Sequence, residues 1–273
     1  MIARPYLAAA VHMTSTPDFE ATLRHAEGLV AEAAERGAEL VGLPENFPQI
    51  GETAQEVAEQ ANLTYPLALA WLREQAVRHG IVLFAGLVAP PAPGSSRVRN
   101  VLVVVGRDGK EIARYQKRHM FDVSFGEGNT FVESETVEPG QDAVVADLGE
   151  LGMLGLSICY DLRFPEHYRA LMDQGADMLT VPAAFLTKTG VDHWHVLLRA
   201  RAIENTSYLL APAQGGRHNA KRASYGHALV IDPWGHVLAD SGDMAGVAIA
   251  RIDPERLRQV REQLPCLTHR QRN

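Results

Sequence analysis

LGMLGLSICYDLRFPEHYR, residues 151–169, decides how the chain is read, because an apolar run stops at Cys159 and charged residues follow at once. The apolar run predicts a buried strand at 151–158. A sharp turn is expected at 159–161, then a helix from Pro165 to about residue 174, since proline is favoured in a first helical turn. Such a strand-turn-helix lifts one thiol out of a rigid sheet and sets it beside a helix start. Backbone N–H groups there have no intrahelical acceptor and can face negative charge developing on a substrate oxygen. A free cysteine is also commonly a small apolar filler of the core, and this stretch alone leaves both roles open.

Outward from that stretch, residues 177–181 read as another buried strand, so the β-α-β order predicts a parallel pair. Residues 192–204, DHWHVLLRARAIE, have helical periodicity with a charged face and return through a strand at 207–211. His193 and His195 stand two residues apart, a spacing that keeps the two imidazoles off one helix face, and a zinc site from this pair is rejected. Strands at 225–231 and 236–239 flank Asp232-Pro233-Trp234-Gly235, residues suited to a type I turn, before a last strand at 246–252 and a final helix at 254–264.

On the amino-terminal side, 6–13 reads as a strand. Asp18 then caps a helix to residue 36 whose Phe19, Leu23, Ala26, Leu29, Val30 and Ala33 form one apolar stripe. A short strand at 39–43 leads into Pro44-Glu45-Asn46-Phe47-Pro48, where two prolines hold Glu45 on a stiff extended corner. A helix at 65–79, a strand at 81–88 and a surface loop at 90–96 follow. Strands at 98–105 and 111–115 flank Gly106-Arg107-Asp108-Gly109 as a hairpin that delivers Lys117 just past its second strand. Residues 121–136, with Gly126, Gly128 and Glu133, lack clear periodicity and read as a long loop lining a site; 143–148 is the strand before the central stretch.

The chain has 273 residues, is 46% hydrophobic and carries a formal charge of −7 at pH 7. That length and apolar fraction suit a single α/β domain over 1–273, and the negative charge argues against a general nucleic-acid surface. No stretch approaches a membrane span, and MIARPYLAAAVHM reads as a first strand rather than an export signal. Two cysteines, Cys159 and Cys266, fit reduced thiols in the cytoplasm. No internal repeat, low-complexity tract or glycine-rich phosphate loop is present, and the polar tail after Leu267 is expected to be solvated or packed on a partner subunit.

Three reactive groups, Glu45, Lys117 and Cys159, are thus each expected just beyond the carboxyl end of a strand, where side chains distant in sequence converge at one sheet edge. Lysine occurs only at Lys110, Lys117, Lys188 and Lys221 in a chain that otherwise uses arginine. GLPENFP at 42–48, YQKRHMFD at 115–122 and GLSICYDLRFPE at 155–166 resemble, in order, the glutamate, lysine and cysteine motifs of the nitrilase superfamily of carbon–nitrogen hydrolases. The resemblance covers nearly the whole chain. It implies a four-layer αββα sandwich, usually paired as a homodimer, with a catalytic Glu45-Lys117-Cys159 set, no cofactor and no metal. Glu133, in FVESETVEPG, resembles a second glutamate of the family that orients the lysine and substrate.

Thiols are mostly protonated near neutrality, so Cys159 needs a base; Glu45 is the candidate, and the Lys117 ammonium favours thiolate formation. Lys117 and the Tyr160 backbone N–H would hold the tetrahedral oxyanion. Glu45 would return its proton to the departing amine and then activate water on a Cys159 thioester. HWHVLLRARAIE at 193–204, QGGRHNAKRASYGHALVIDPWG at 214–235 and the terminal LPCLTHRQ most resemble the Nit subgroup, which implies an amidase acting on deaminated glutathione. Omega-amidases acting on α-ketoglutaramate are the neighbouring alternative. The same resemblance places Arg163 and Thr189 at the substrate's α-keto acid end, a task suited to the planar guanidinium fork. The 121–136 loop and residues 218–224 are expected to frame a leaving-group channel. More distant alternatives are a nitrilase or N-carbamoyl hydrolase, a non-catalytic interaction protein, and a thiol sensor using Cys159. The expected partner is a small-molecule amide, with no nucleic acid and no membrane.

Overall fold

The computed structural model describes residues 1–126 and 130–271, and of the positions singled out above Gly128 lies outside them. In chain order the elements begin with β1 (Tyr6–Met13), α1 (Phe19–Glu35), β2 (Ala38–Gly42), α2 (Ala54–His79), β3 (Val82–Ala89), β4 (Arg99–Val105) and β5 (Glu111–Gln116). A short hairpin, β6 (Asp122–Ser124) and β7 (Thr130–Val132), is followed by β8 (Val145–Asp147), β9 (Met153–Leu156), α3 (Pro165–Asp173), β10 (Met178–Thr180) and α4 (Thr187–Asn205). The chain closes with β11 (Tyr208–Ala211), β12 (Ala213–Arg217), β13 (Ala223–Tyr225), β14 (Leu229–Ile231), β15 (Val237–Asp240), β16 (Gly246–Ile252) and α5 (Pro254–Gln263).

Among the described residues, one sheet has the order β13-β12-β1-β2-β3-β4-β5 with β16 also paired to β1, and the other has the order β15-β14-β11-β10-β9-β8. β1, β2 and β3 run parallel through crossovers α1 and α2, and β9, β10 and β11 run parallel through α3 and α4. Strand alternation makes the layers. Ala8 and Ala10 of β1, Phe84 of β3 and Leu102 and Val104 of β4 share a core with Leu154, Leu156 and Met178 of the second sheet. The opposite parity, Ala9, Val11, Leu83 and Val103, packs on Leu29 of α1 and Leu72 of α2. Tyr168 of α3 and Trp194 of α4 cover the other face of the second sheet, which completes the expected αββα order.

Several boundaries differ from the sequence expectation. α2 begins at Ala54 rather than 65: Thr53 caps it, its hydroxyl accepting from Glu56 N at 3.1 Å, and Pro66 lies inside the helix. Before Ala68 only Ala61 is buried in α2, so those turns carry no apolar stripe by which a sequence could mark them. The expected 225–231 strand divides into β13 and β14 because His227 takes a left-handed φ of 57°. Residues 121–136 are not a plain loop, since they contain β6, β7 and a 3-10 turn at Glu133–Glu135. β12 was not anticipated, and α4 begins at Thr187 rather than 192.

β3 supports the Glu45 corner by close backbone approach. Gly86 N donates to Pro44 O at 3.2 Å, and Gly86 O accepts from Phe47 N at 3.2 Å. A Cβ on Gly86 would lie 2.6 Å from Glu45 Cα, so the corner would have to move. Gly86→Ala is therefore expected to lower stability by about 1 to 3 kcal/mol, as overpacking does. Urea unfolding measures this directly, and an unchanged midpoint would mean that the corner is not pinned.

Candidate active site

Glu45 follows β2, Lys117 follows β5, and Glu133 opens the turn after β7. Lys117 Nζ donates to Glu45 Oε1 at 2.9 Å and to both oxygens of Glu133 at 2.9 Å. Asn100, on β4, was not foreseen: its Nδ2 donates to Glu45 Oε1 at 2.8 Å and to Glu133 Oε1 at 3.4 Å. The signal available was an amide side chain in the otherwise apolar run NVLVVV. The second oxygen of Glu45 accepts from Ala184 N at 2.9 Å, beyond β10, and Glu133 accepts from Phe121 N at 2.7 Å. Each carboxylate is thereby oriented by backbone as well as by the ammonium.

Cys159 opens a 3-10 turn that precedes α3, and its φ of 47° lies in the left-handed region that non-glycine residues rarely occupy. Its N–H donates to Pro182 O at 3.0 Å. Asp161, fully buried and also unanticipated, locks the turn: its carboxylate accepts from Ile158 N at 2.8 Å, Tyr115 Oη at 2.7 Å and His119 N at 3.1 Å. His119 Nδ1 lies 2.7 Å from the same group. The cysteine turn and the segment bearing Lys117 are therefore tied to one carboxylate. Among the described residues the Tyr160 N–H has no hydrogen-bond acceptor.

Burial pushes the Glu45 carboxyl up, but the charge and hydrogen bond of Lys117, the Ala184 N–H and the Arg222 charge outweigh it and hold Glu45 below the usual carboxylate range. Burial also opposes the Lys117 ammonium, yet the charges of Glu133 and Glu45 hold it well above its ordinary value. For Cys159, burial and then the Glu45 charge push the thiol well up, against the pull of Lys117. The resting arrangement is a neutral thiol beside an ionised carboxylate. Lys117 thus favours the thiolate as expected, but burial and the Glu45 charge outweigh it.

These groups form the floor of a cavity of about 570 Å3, within the range of small-molecule sites. Phe131 of the hairpin, Phe185 ahead of α4, and Asn219, Lys221 and Arg222 line its sides. Thr189 also lines it, from the first turn of α4, with its hydroxyl 3.4 Å from Leu186 O. Arg163 is not in the wall. Its guanidinium stands 3.4 Å from His193 Nδ1 and over the rings of Tyr160 and Phe185, both of which line the cavity.

His218 anchors the loop that carries Arg222: Nδ1 lies 2.8 Å from Ser15 O and Nε2 lies 2.8 Å from Ser224 Oγ. His193 and His195 diverge as their spacing requires, with His195 Nε2 3.1 Å from Asp240 Oδ2. Among the described residues, His195, His227 and Asp240 are a group of possible metal donors, their atoms within 4.8 Å of one another, but they hydrogen-bond to each other and lie outside the cavity wall. Cys266 is a free thiol whose Sγ contacts Glu204 O at 3.5 Å. No helix among the described residues is long and apolar enough to cross a membrane.

The carbon–nitrogen hydrolase family profile matches residues 7–262. A deaminated glutathione amidase of Synechocystis sp. is 50% identical over 269 residues, covering 98% of each chain. Among solved structures, the C. elegans NitFhit protein superposes with a TM-score of 0.94 at 38% identity; the match covers 99% of this chain and 66% of that longer one. Saccharomyces cerevisiae Nit3, a member of branch 10 of the nitrilase superfamily, gives a TM-score of 0.86 at 29% identity, covering 97% of this chain and 96% of that one.

The His218 anchor generates a pH dependence. Burial first, and the Arg222 charge after it, pull the imidazole down to about 4 from 6.5, against the favourable Ser15 carbonyl. The unfolded chain therefore binds a proton in a window where the folded one does not, and protons there favour unfolding. Stability is expected to fall as pH drops from 6.5 towards about 4, with a shallower fall in His218→Gln. Urea titrations across that window test it, and identical slopes in the two proteins would assign the loss to other groups.

Proposed function

The chain belongs to the carbon–nitrogen hydrolase family and is an amide-hydrolysing enzyme, and from that premise we propose that it cleaves the γ-amide of deaminated glutathione to α-ketoglutarate and Cys-Gly. The Synechocystis relative, matched end to end, carries the substrate assignment. The cavity supports it by its volume, which leaves room for a peptide beside the acyl chain.

In this reading Cys159 attacks the amide carbon while its proton passes to Glu45. A neutral thiol next to an ionised carboxylate suits that coupled step, because no thiolate has to persist beforehand. The oxyanion lies between Lys117 Nζ and the Tyr160 N–H, donors of a kind that contribute roughly 3 to 4 kcal/mol each. Collapse breaks the C–N bond as Glu45 protonates the amine, and the acyl group stays on sulfur as a thioester. Water, deprotonated by Glu45, then adds to the thioester and the thiol leaves with a proton. Glu133 holds Lys117 so that the ammonium is not drawn wholly to Glu45. Thr189 and Arg163 take the α-keto acid end, Arg163 exchanging its long contacts with His193 for the substrate carboxylate.

We propose further that the protein is a homodimer paired through α3, α4 and the carboxyl-terminal region. α4 exposes Val191 at 63% and Val196 at 66%, apolar side chains that a partner would cover. A cytoplasmic setting keeps the Cys159 thiol reduced. Sedimentation at micromolar concentration is expected to give a dimer, and a monomer there would rule out the pairing.

A side-by-side assay tests the substrate. Deaminated glutathione is expected to give a higher kcat/KM than α-ketoglutaramate, with intact glutathione, whose ammonium replaces the keto group, a poor substrate. Cys159→Ala is expected to release no amine. Preference for α-ketoglutaramate would replace this substrate by the omega-amidase one, and full activity in Cys159→Ala would discard the thioester route.

A further inference from the structure

The cavity wall holds three cations, Lys117, Lys221 and Arg222. Lys117 is occupied by Glu45 and Glu133. Arg222 is not: its Nε is buried without a hydrogen-bond partner, and no carboxylate among the described residues pairs with its guanidinium. A buried charged donor left unsatisfied is costly, and the cost is removed when a ligand acceptor arrives.

The loop bearing Arg222 is built rather than loose. Asn219 Oδ1 accepts from Lys221 N at 2.9 Å and from Arg222 N at 2.8 Å, and Arg222 O accepts from His218 N at 3.0 Å. Asn219 Nδ2 donates to Gly51 O at 2.8 Å, which docks the loop on the segment that follows the Glu45 corner. Arg222 is also close enough to Glu45 for its charge to act on that carboxylate. In the proposed reaction Glu45 protonates the departing nitrogen, so the amine portion of the substrate must lie over Glu45. Arg163, which takes the acyl end in that reading, stands over the rings of Tyr160 and Phe185.

We propose that Arg222 is the anchor of the leaving-group subsite, taking the terminal carboxylate of the amine portion, which is the glycyl carboxylate of Cys-Gly in the reading above, on which this inference rests. The two ends of a dianionic substrate are then held by two arginines, one on each side of Cys159. Selectivity for a peptide-bearing amide over one that releases ammonia follows, since only the former offers Arg222 an acceptor.

The test compares deaminated glutathione with its analogue carrying a glycyl carboxamide, on wild type, Arg222→Gln and Arg222→Lys. Wild type is expected to prefer the free carboxylate in kcat/KM by on the order of 10- to 100-fold, mostly through KM, as a charge-assisted hydrogen-bond pair does. Arg222→Gln is expected to treat the two compounds within about threefold, and Arg222→Lys to fall between, since a point charge replaces the fork. Because both compounds are read on the same preparation, the ratio does not depend on how much of a variant is folded. Turnover of deaminated glutathione without preference for the carboxylate, or a preference that survives Arg222→Gln, would overturn the Arg222 assignment and leave the substrate reading intact. No turnover of deaminated glutathione by wild type would overturn both.

Discussion

An ammonium that is 2% exposed cannot stand without countercharge, and at Lys117 two carboxylates and an amide-oriented neighbour provide the surroundings that make it tolerable. Breaking one partner out of such a buried set typically costs about 3 to 5 kcal/mol. That penalty couples four pieces of chain that are far apart in sequence: the corner after β2, the start of β4, the end of β5 and the turn after β7. The β4–β5 ladder makes the coupling rigid, because Lys117 N donates to Asn100 O at 2.9 Å while the Asn100 side chain reaches both glutamates. The reactive groups are positioned by the same interactions that neutralise the lysine.

The thiol depends on a second constraint, a left-handed residue at the end of a strand. A backbone in that region costs of order 1 to 3 kcal/mol, and the contacts of Asp161 with Ile158, Tyr115 and His119 hold it there. Asp161 itself is kept ionised although burial opposes it, because the His119 hydrogen bond, the His167 charge and the donors from Tyr115 and Ile158 prevail. A resting thiolate would compete with Glu45 and Glu133 for Lys117. In the proposed reaction, with the thiol neutral, negative charge additional to Glu45 and Glu133 arises near Lys117 only as the substrate oxygen acquires it, which is when a fixed donor lowers a barrier most.

The order of strands and helices was legible because alternation and helical stripes record which faces are buried, as the matching bounds of β1, α1 and β16 show. The placement of Glu45, Lys117 and Cys159 just beyond strand ends, converging on one cavity, was legible. What was not legible were positions whose role is set by tertiary neighbours. Asn100 looks like an interruption of an apolar strand until two glutamates are placed over it. Asp161 reads as one more charge in a polar turn until Tyr115 and His119 are brought to it. Arg222 lies in a basic, polar stretch where nothing distinguishes it from Arg217 or Lys221, and only the packing of its loop on Gly51 leaves its Nε enclosed and unpaired. The early turns of α2 escaped for a related reason: an exposed helix held by a cap carries no hydrophobic period.

The charges of the site also bear on the direction of traffic through it. The floor sets two carboxylates against one ammonium, so its net charge is negative and opposes an anionic substrate. Cations at Lys221 and Arg222 in the wall, with Arg163 behind Tyr160 and Phe185, offset that field where the substrate's own carboxylates would sit. In the proposed reaction an uncharged amide above the floor becomes a carboxylate at the same place. In that reaction the new carboxylate forms beside Glu45, whose charge opposes it. Once the C–N bond is cut, each product also keeps only one of the two arginine anchors. In the proposed reaction the negative floor that the cations of the wall offset for binding thus favours departure of the acid after hydrolysis.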